Sequence, residues 1–167
     1  MSDITGFAIQ WNQPAIISGL FEERFAPGAF DDSLTQYPDV AALWSHDASR
    51  PLGRVSNGTL QLRSTRAGLW YSLTPNPDSP LGKEATAAVG SNLVNQVSVG
   101  FSADIEEWED TGNLPKRTIT RARLYEISIV LWGAYGEATS ASLRNADNAA
   151  RRIRAKAEAA HRLRGIR

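Results

Sequence analysis

The sequence predicts a mainly β protein with helices, of the α+β class. It reads as about seven strands, one internal helix and a C-terminal helix, arranged as a barrel or sandwich. Three observations predict this. Strand-like runs broken by Gly, Pro and Asn turns fill most of residues 4–132. One capped helical stretch, opening at Ser79-Pro80, interrupts them. Beyond residue 138 the chain becomes rich in Ala and Arg, with no Pro or Gly through residue 163. The expected organisation is a body at 1–137 and a basic tail at 138–167.

Residues 4–11 read as the first strand. Phe21 to Phe25 and Pro27-Gly28-Ala29-Phe30 lead into a short polar turn or helix before residue 35. Residues 39–46 read as the second strand, and Pro51-Leu52-Gly53-Arg54-Val55 begins the third. Asn57-Gly58 signals a hairpin to Thr59-Leu60-Gln61-Leu62. Ala67-Gly68 marks a turn before Leu69. Three prolines in 74–80 require loop. Ser79 as cap and Pro80 at the first helical position then start a helix running to about Asn92. In 96–108, Val97, Val99, Phe101, Ala103 and Ile105 share one face, and Ser98, Gly100 and Ser102 share the other. A turn at 110–115 leads to the longest strand-like run, 117–132. The final stretch favours helix by composition, and the spacing of Leu143, Ile153 and Leu163 gives it no broad apolar stripe.

Composition narrows the chemistry. With 42% hydrophobic and 22% charged residues, the chain is neither disordered nor low in complexity. It has no cysteine, which excludes disulfides, zinc-thiolate sites and cysteine nucleophiles. No apolar run approaches the ~20 residues of a membrane span, and Met1-Ser2-Asp3 opens no signal peptide. The expectation is a soluble intracellular protein that needs no cofactor or metal. The zero net charge hides an asymmetry: residues 144–167 hold eight basic and two acidic residues, a net +6, leaving −6 on the remainder. Such a tail reads either as a solvated helix or as a dock for an anionic partner. It holds no aromatic residue to stack on bases, so nucleic acid is the less favoured partner.

Few residues could perform catalysis. His161 lies in the tail and reads as surface. His46 ends the second strand, and alternation puts it on the face of Trp44 and Ala42, where it reads as a core or rim residue or as a base. Ser98 lies mid-strand, two positions before Gly100. Glycine there marks a bulge or a close approach by another backbone or a ligand. Glu126 shares a face with Leu124, Ser128 and Val130. A carboxylate among such neighbours needs a partner, either a histidine N–H or an arginine such as Arg54. A serine hydroxyl needs a base to take its proton, and the base needs an orienting group. Ser98, His46 and Glu126 have the chemistry for those three roles.

Taken in order, the motifs carry a resemblance. They are Gly6-Phe7-Ala8, Phe25-Ala26-Pro27-Gly28-Ala29-Phe30, Leu43-Trp44-Ser45-His46-Asp47, Pro51-Leu52-Gly53-Arg54, Gly58-Thr59-Leu60, Val97-Ser98-Val99-Gly100-Phe101, Leu124-Tyr125-Glu126-Ile127-Ser128-Ile129-Val130 and Ala134-Tyr135. From about residue 5 to 140 the chain resembles the prohead (capsid maturation) proteases of tailed phages, distant relatives of the herpesvirus assembly proteases. The resemblance implies a herpesvirus-protease-like β-barrel and a serine endopeptidase with His46, Ser98 and Glu126 as catalytic residues. The herpesvirus relatives use a second histidine as third member; here the spare histidine falls in the tail, which favours Glu126. It also implies action on the scaffolding or delta segment of the major capsid protein and on the protease itself, inside the assembling prohead in the bacterial cytoplasm. Homo-oligomers are compatible with it, and membrane partners are not implied. Arg54 or the Gly53 amide is the candidate for the oxyanion region. The chain departs from the family pattern at Ser45, where asparagine is common, at Val97 and Val99 around Ser98, and at Trp132-Gly133. A catalytically inactive assembly module on the same framework is the alternative reading, and a nucleic-acid-binding barrel with a basic arm is a third.

Overall fold

The fold is given by a computed structural model that describes residues 2–110 and 112–144. Its strands are β1 (Asp3–Gln10), β2 (Ala15–Ile17), β3 (Phe21–Phe25), β4 (Ala41–Trp44), β5 (Asp47–Arg54), β6 (Leu60–Ser64), β7 (Gly68–Leu73), β8 (Gln96–Glu109), β9 (Lys116–Val130) and β10 (Ser142–Arg144). Two α-helices, α1 (Asp31–Gln36) and α2 (Pro80–Gly90), interrupt them. The mainly β expectation therefore holds. The strands do not close into one seven-stranded barrel. They divide between an open sheet in the order β10-β1-β7-β6 and a second sheet built on β9.

The long strand β9 organises the second sheet. Along one edge it pairs in parallel with β3 near its start and with β4 near its end. Along the other it pairs antiparallel with β8 over nearly its whole length. The inner faces of the two sheets meet in one core. Ile4, Ile9, Leu60, Leu69, Tyr71 and Leu73 come from the first sheet, and Phe25, Val97, Ile119, Leu124, Ile127 and Ile129 from the second. Phe25 lies 4.9 Å from Phe101 and 5.1 Å from Phe30 between ring centroids, within the range of favourable aromatic pairs. Apolar burial on this scale supplies the main drive to fold.

Local signals decide α2. Ser79 accepts a hydrogen bond from the Gly82 N–H at 2.9 Å and Pro80 occupies the first turn, as the sequence predicts. Other signals are overridden. The Asn57-Gly58 turn exists, with the Gly58 N–H bonded to the Val55 carbonyl, but it joins no hairpin. β5 pairs with β4 and β6 with β7, so this turn is a corner between the two sheets. Ile105, expected on the face of Val97, is 45% exposed, whereas Val97 is buried. A register shift between Ala103 and Ile105 breaks the alternation there.

The start of the expected C-terminal helix is also different. A short 3-10 turn at Gly136–Ala138 precedes β10, which pairs with β1. Helical composition loses here to an open strand edge on β1 that residues 142–144 complete. The rest of that helix, residues 145–163, lies outside the described residues. Gly6 allows the docking: a Cβ there would lie 2.6 Å from the Ser140 carbonyl carbon. The buried Tyr71 hydroxyl donates to the Ser140 carbonyl at 2.9 Å. No helix among the described residues is long and apolar enough to cross a membrane.

Candidate active site

The site lies on the outer face of the β8–β9–β4 segment of the second sheet. Cross-strand pairing sets it. Ser98 sits opposite Ser128, and Gly100 opposite Glu126, in the β8–β9 ladder. Leu43 sits beside Ser128, and Ala41 beside Glu126, in the β4–β9 ladder. Alternation buries the neighbours Val97, Ile127, Ile129 and Ala42 in the core.

A bulge aims Glu126. The register jumps from Gly100↔Glu126 to Phe101↔Leu124, so Tyr125 is an extra residue on β9. The simple alternation that put Leu124 and Glu126 on one face fails for this reason. Leu124 enters the core, and Tyr125 and Glu126 both line the outer cleft. Gly100 leaves room for the carboxylate. A Cβ on Gly100 would lie 2.9 Å from Glu126 Cγ and Cδ and closer still to Oε1.

His46 does not end a strand. Trp44 pairs with Asp47, so Ser45 and His46 are the two central residues of a tight hairpin turn. Both have positive φ, 53° and 59°, as a type I′ turn demands. Neither is glycine, so the backbone is held there by its contacts. The Ser45 N–H donates to the Ile129 carbonyl at 3.0 Å, and the His46 N–H donates to Ser128 Oγ at 3.0 Å. The turn lifts the His46 ring off the sheet, 45% exposed, and swings it over Glu126.

There His46 Nδ1 and Glu126 Oε1 are 2.6 Å apart, and Ser128 Oγ donates to Glu126 Oε2 at 2.5 Å. The Glu126 side chain is only 14% exposed. Its partner is thus the histidine. Arg54, the alternative partner, bonds Asp39 instead at 2.8 Å. Hydrogen bonds from Ser56, with that guanidinium, hold the Asp39 carboxyl below the usual carboxylate range. Beside the hairpin, the Ser49 hydroxyl and N–H do the same for Asp47.

His46 and Glu126 are joined directly. Ser98 is on the adjacent strand, half-buried, and no hydrogen bond links it to His46. Among the described residues its Oγ has no hydrogen-bond partner. Gly53 and Arg54 both line a cleft of about 770 Å³ that opens beside Glu126. The cleft is also walled by Ala41, Leu43, Ala48 and Tyr125. The sequence reading did not assign a role to Ser128, although its spacing from Glu126 already put both on one face. Among the described residues, no group of three or more His, Cys, Asp or Glu is placed to hold a metal ion.

The sequence model of the caudovirus prohead serine protease family matches residues 1–152 of this 167-residue chain. The chain belongs to that family. As a prohead serine protease it is assigned to phage capsid maturation. No curated protein matches the chain significantly.

Proposed function

We propose that this prohead serine protease is a serine endopeptidase with Ser98 as nucleophile, His46 as general base and acid, and Glu126 as the group that orients the imidazole. The observation that carries the reading is the 2.6 Å contact between His46 Nδ1 and Glu126 on the strand paired to Ser98. With Glu126 as the acceptor, the neutral imidazole that acts as base carries its proton on Nδ1 and presents the Nε2 lone pair to Ser98. Unliganded enzymes often hold the nucleophile and base apart until substrate arrives.

In the reaction, His46 Nε2 takes the Ser98 Oγ proton as the oxygen attacks the scissile carbonyl carbon. The tetrahedral intermediate collapses, the C–N bond breaks, and His46 returns the proton to the leaving amine. Water, deprotonated by His46, then cleaves the ester and frees Ser98. Glu126 stabilises the imidazolium in both halves. β8 pairs with β9 alone among the described residues; on its other edge the Val97 N–H is taken by Thr139 Oγ1 at 2.9 Å, so an extended peptide would add as a strand along the stretch that follows Ser98. The cleft beside Glu126 would receive a side chain of that peptide.

The substrates we assign are the scaffolding or delta segment of the major capsid protein and the protease itself, inside the assembling prohead in the host cytoplasm. Residues 138–144 are built into the body through β10, so it is the basic segment beyond residue 144 that would dock inside the immature shell or on a capsid scaffold. An assembly module without activity would have no use for the His46–Glu126 pair, which favours the enzyme. The test is labelling by a fluorophosphonate together with co-expression of the major capsid protein. Wild type is labelled at Ser98 and trims the capsid protein; Ser98→Ala and His46→Ala do neither. Capsid cleavage that survives Ser98→Ala would reject the assignment.

A further inference from the structure

We infer that Ser128 is a positioning residue of this site: its buried hydroxyl closes a ring of hydrogen bonds that holds His46 at two atoms and fixes the Glu126 carboxylate between them. The inference rests on the catalytic reading of His46 and Glu126.

The ring can be followed atom by atom. The His46 backbone N–H donates to Ser128 Oγ at 3.0 Å. Ser128 Oγ–H donates to Glu126 Oε2 at 2.5 Å. Glu126 Oε1 meets His46 Nδ1 at 2.6 Å. Each donor has a defined acceptor. The amide can only donate and the carboxylate can only accept, so the single Ser128 proton must point at Glu126. The hydroxyl is 0% exposed, so no solvent water competes for either bond.

This arrangement solves two positioning problems. The terminal torsion of a glutamate is broad and roughly two-fold. A bond to Oε2 from a hydroxyl fixed on a central strand removes that freedom and leaves Oε1 for the imidazole. The His46 turn has two non-glycine residues at positive φ, a conformation that persists only when its surroundings impose it. The bond from the His46 N–H to Ser128 is one of the two that pin it, the other being Ser45 to Ile129. Ser128 also stands directly opposite Ser98. One side chain thus ties the base and its orienting group to the register of the nucleophile strand.

The test compares Ser128→Ala and Ser128→Thr with wild type, using inactivation by a fluorophosphonate, thermal melting, and the downfield Nδ1 proton resonance of His46. Ser128→Ala lowers kinact by about 10- to 100-fold, the cost of a loosened catalytic geometry, and leaves KI within about twofold. It also abolishes the resonance. Ser128→Thr keeps the hydroxyl and restores both. A Ser128→Ala protein with wild-type kinact and an intact resonance overturns the inference. So does a loss of activity that tracks a collapsed melting temperature and that Ser128→Thr does not rescue. The resonance needs no turnover. A chain that is never labelled, yet loses the resonance in Ser128→Ala, sinks the peptidase reading while the positioning of His46 by Ser128 stands.

Discussion

Replacing Gly100 with alanine should separate activity from stability. The added methyl would lie 2.9 Å from Glu126 Cγ and Cδ, where ordinary contact begins at about 3.4 Å. Glu126 must therefore move by roughly 0.5 Å or more, and catalytic groups tolerate only about that much. The movement opens the 2.6 Å contact with His46. A misplacement on the order of 1 Å costs about 100-fold in rate, or ~2.7 kcal/mol of barrier. Folding should hardly notice. Gly100 is not among the glycines at positive φ, so alanine adopts its backbone and reduces unfolded-chain entropy, worth ~0.4–1 kcal/mol in favour of the fold. The assay pairs the fluorophosphonate inactivation rate with urea denaturation. A Gly100→Ala protein that reacts at the wild-type rate would refute the view that glycine is there to make room for the carboxylate.

Three further outcomes follow from the structure. Burial pushes the Tyr71 and Tyr135 phenols above their ordinary value of 10.0, helped at Tyr135 by the adjacent Glu23 carboxylate. The unfolded chain then releases protons above pH ~10 that the fold retains, so stability is complete below that pH and declines above it by about 1.4 kcal/mol per pH unit per tyrosine. Denaturant titrations between pH 8 and 11 should show this, and Tyr71→Phe should flatten the slope; an unchanged slope contradicts the assignment. Arg117 bonds the buried Glu23 at 2.8 Å and also bonds Glu106, while the Tyr135 hydroxyl donates to Glu23 at 2.8 Å. Arg117→Ala leaves that carboxylate without its counter-charge, held by the Tyr135 hydroxyl, and should cost about 3–5 kcal/mol in chemical denaturation; a loss below about 1 kcal/mol would show that the hydroxyl bond suffices. Ala48→Trp places a large ring in the wall of the cleft, and should raise KM for a cleaved peptide with less effect on kcat, whereas an unchanged KM would place substrate elsewhere.

Legibility in the sequence followed the range of the interaction. The Ser79-Pro80 start of α2 and the Val97/Ser98 alternation were readable because a cap spans three residues and a strand pleat spans two. His46 was misplaced. Ser-His lacks the glycine that announces a type I′ turn, and its positive φ values are imposed by β9, 82 residues away. The alternation that puts Glu126 with Ser128 holds, and its extension back to Leu124 fails, because a bulge exists only relative to a partner strand.

The sequence by itself determined the class of the fold, the capped helix, the strand that carries Ser98 and the short inventory of candidate catalytic side chains. Each of these depends on residue chemistry or on periods of two to four positions. Tertiary structure alone decided that the ten strands of the described residues form two sheets, that residues 142–144 close an edge instead of starting a helix, and that Glu126 takes His46 rather than Arg54. Those outcomes turn on which hydrogen-bonding edges and which burial sites distant segments leave for one another, and no local window of sequence contains that competition.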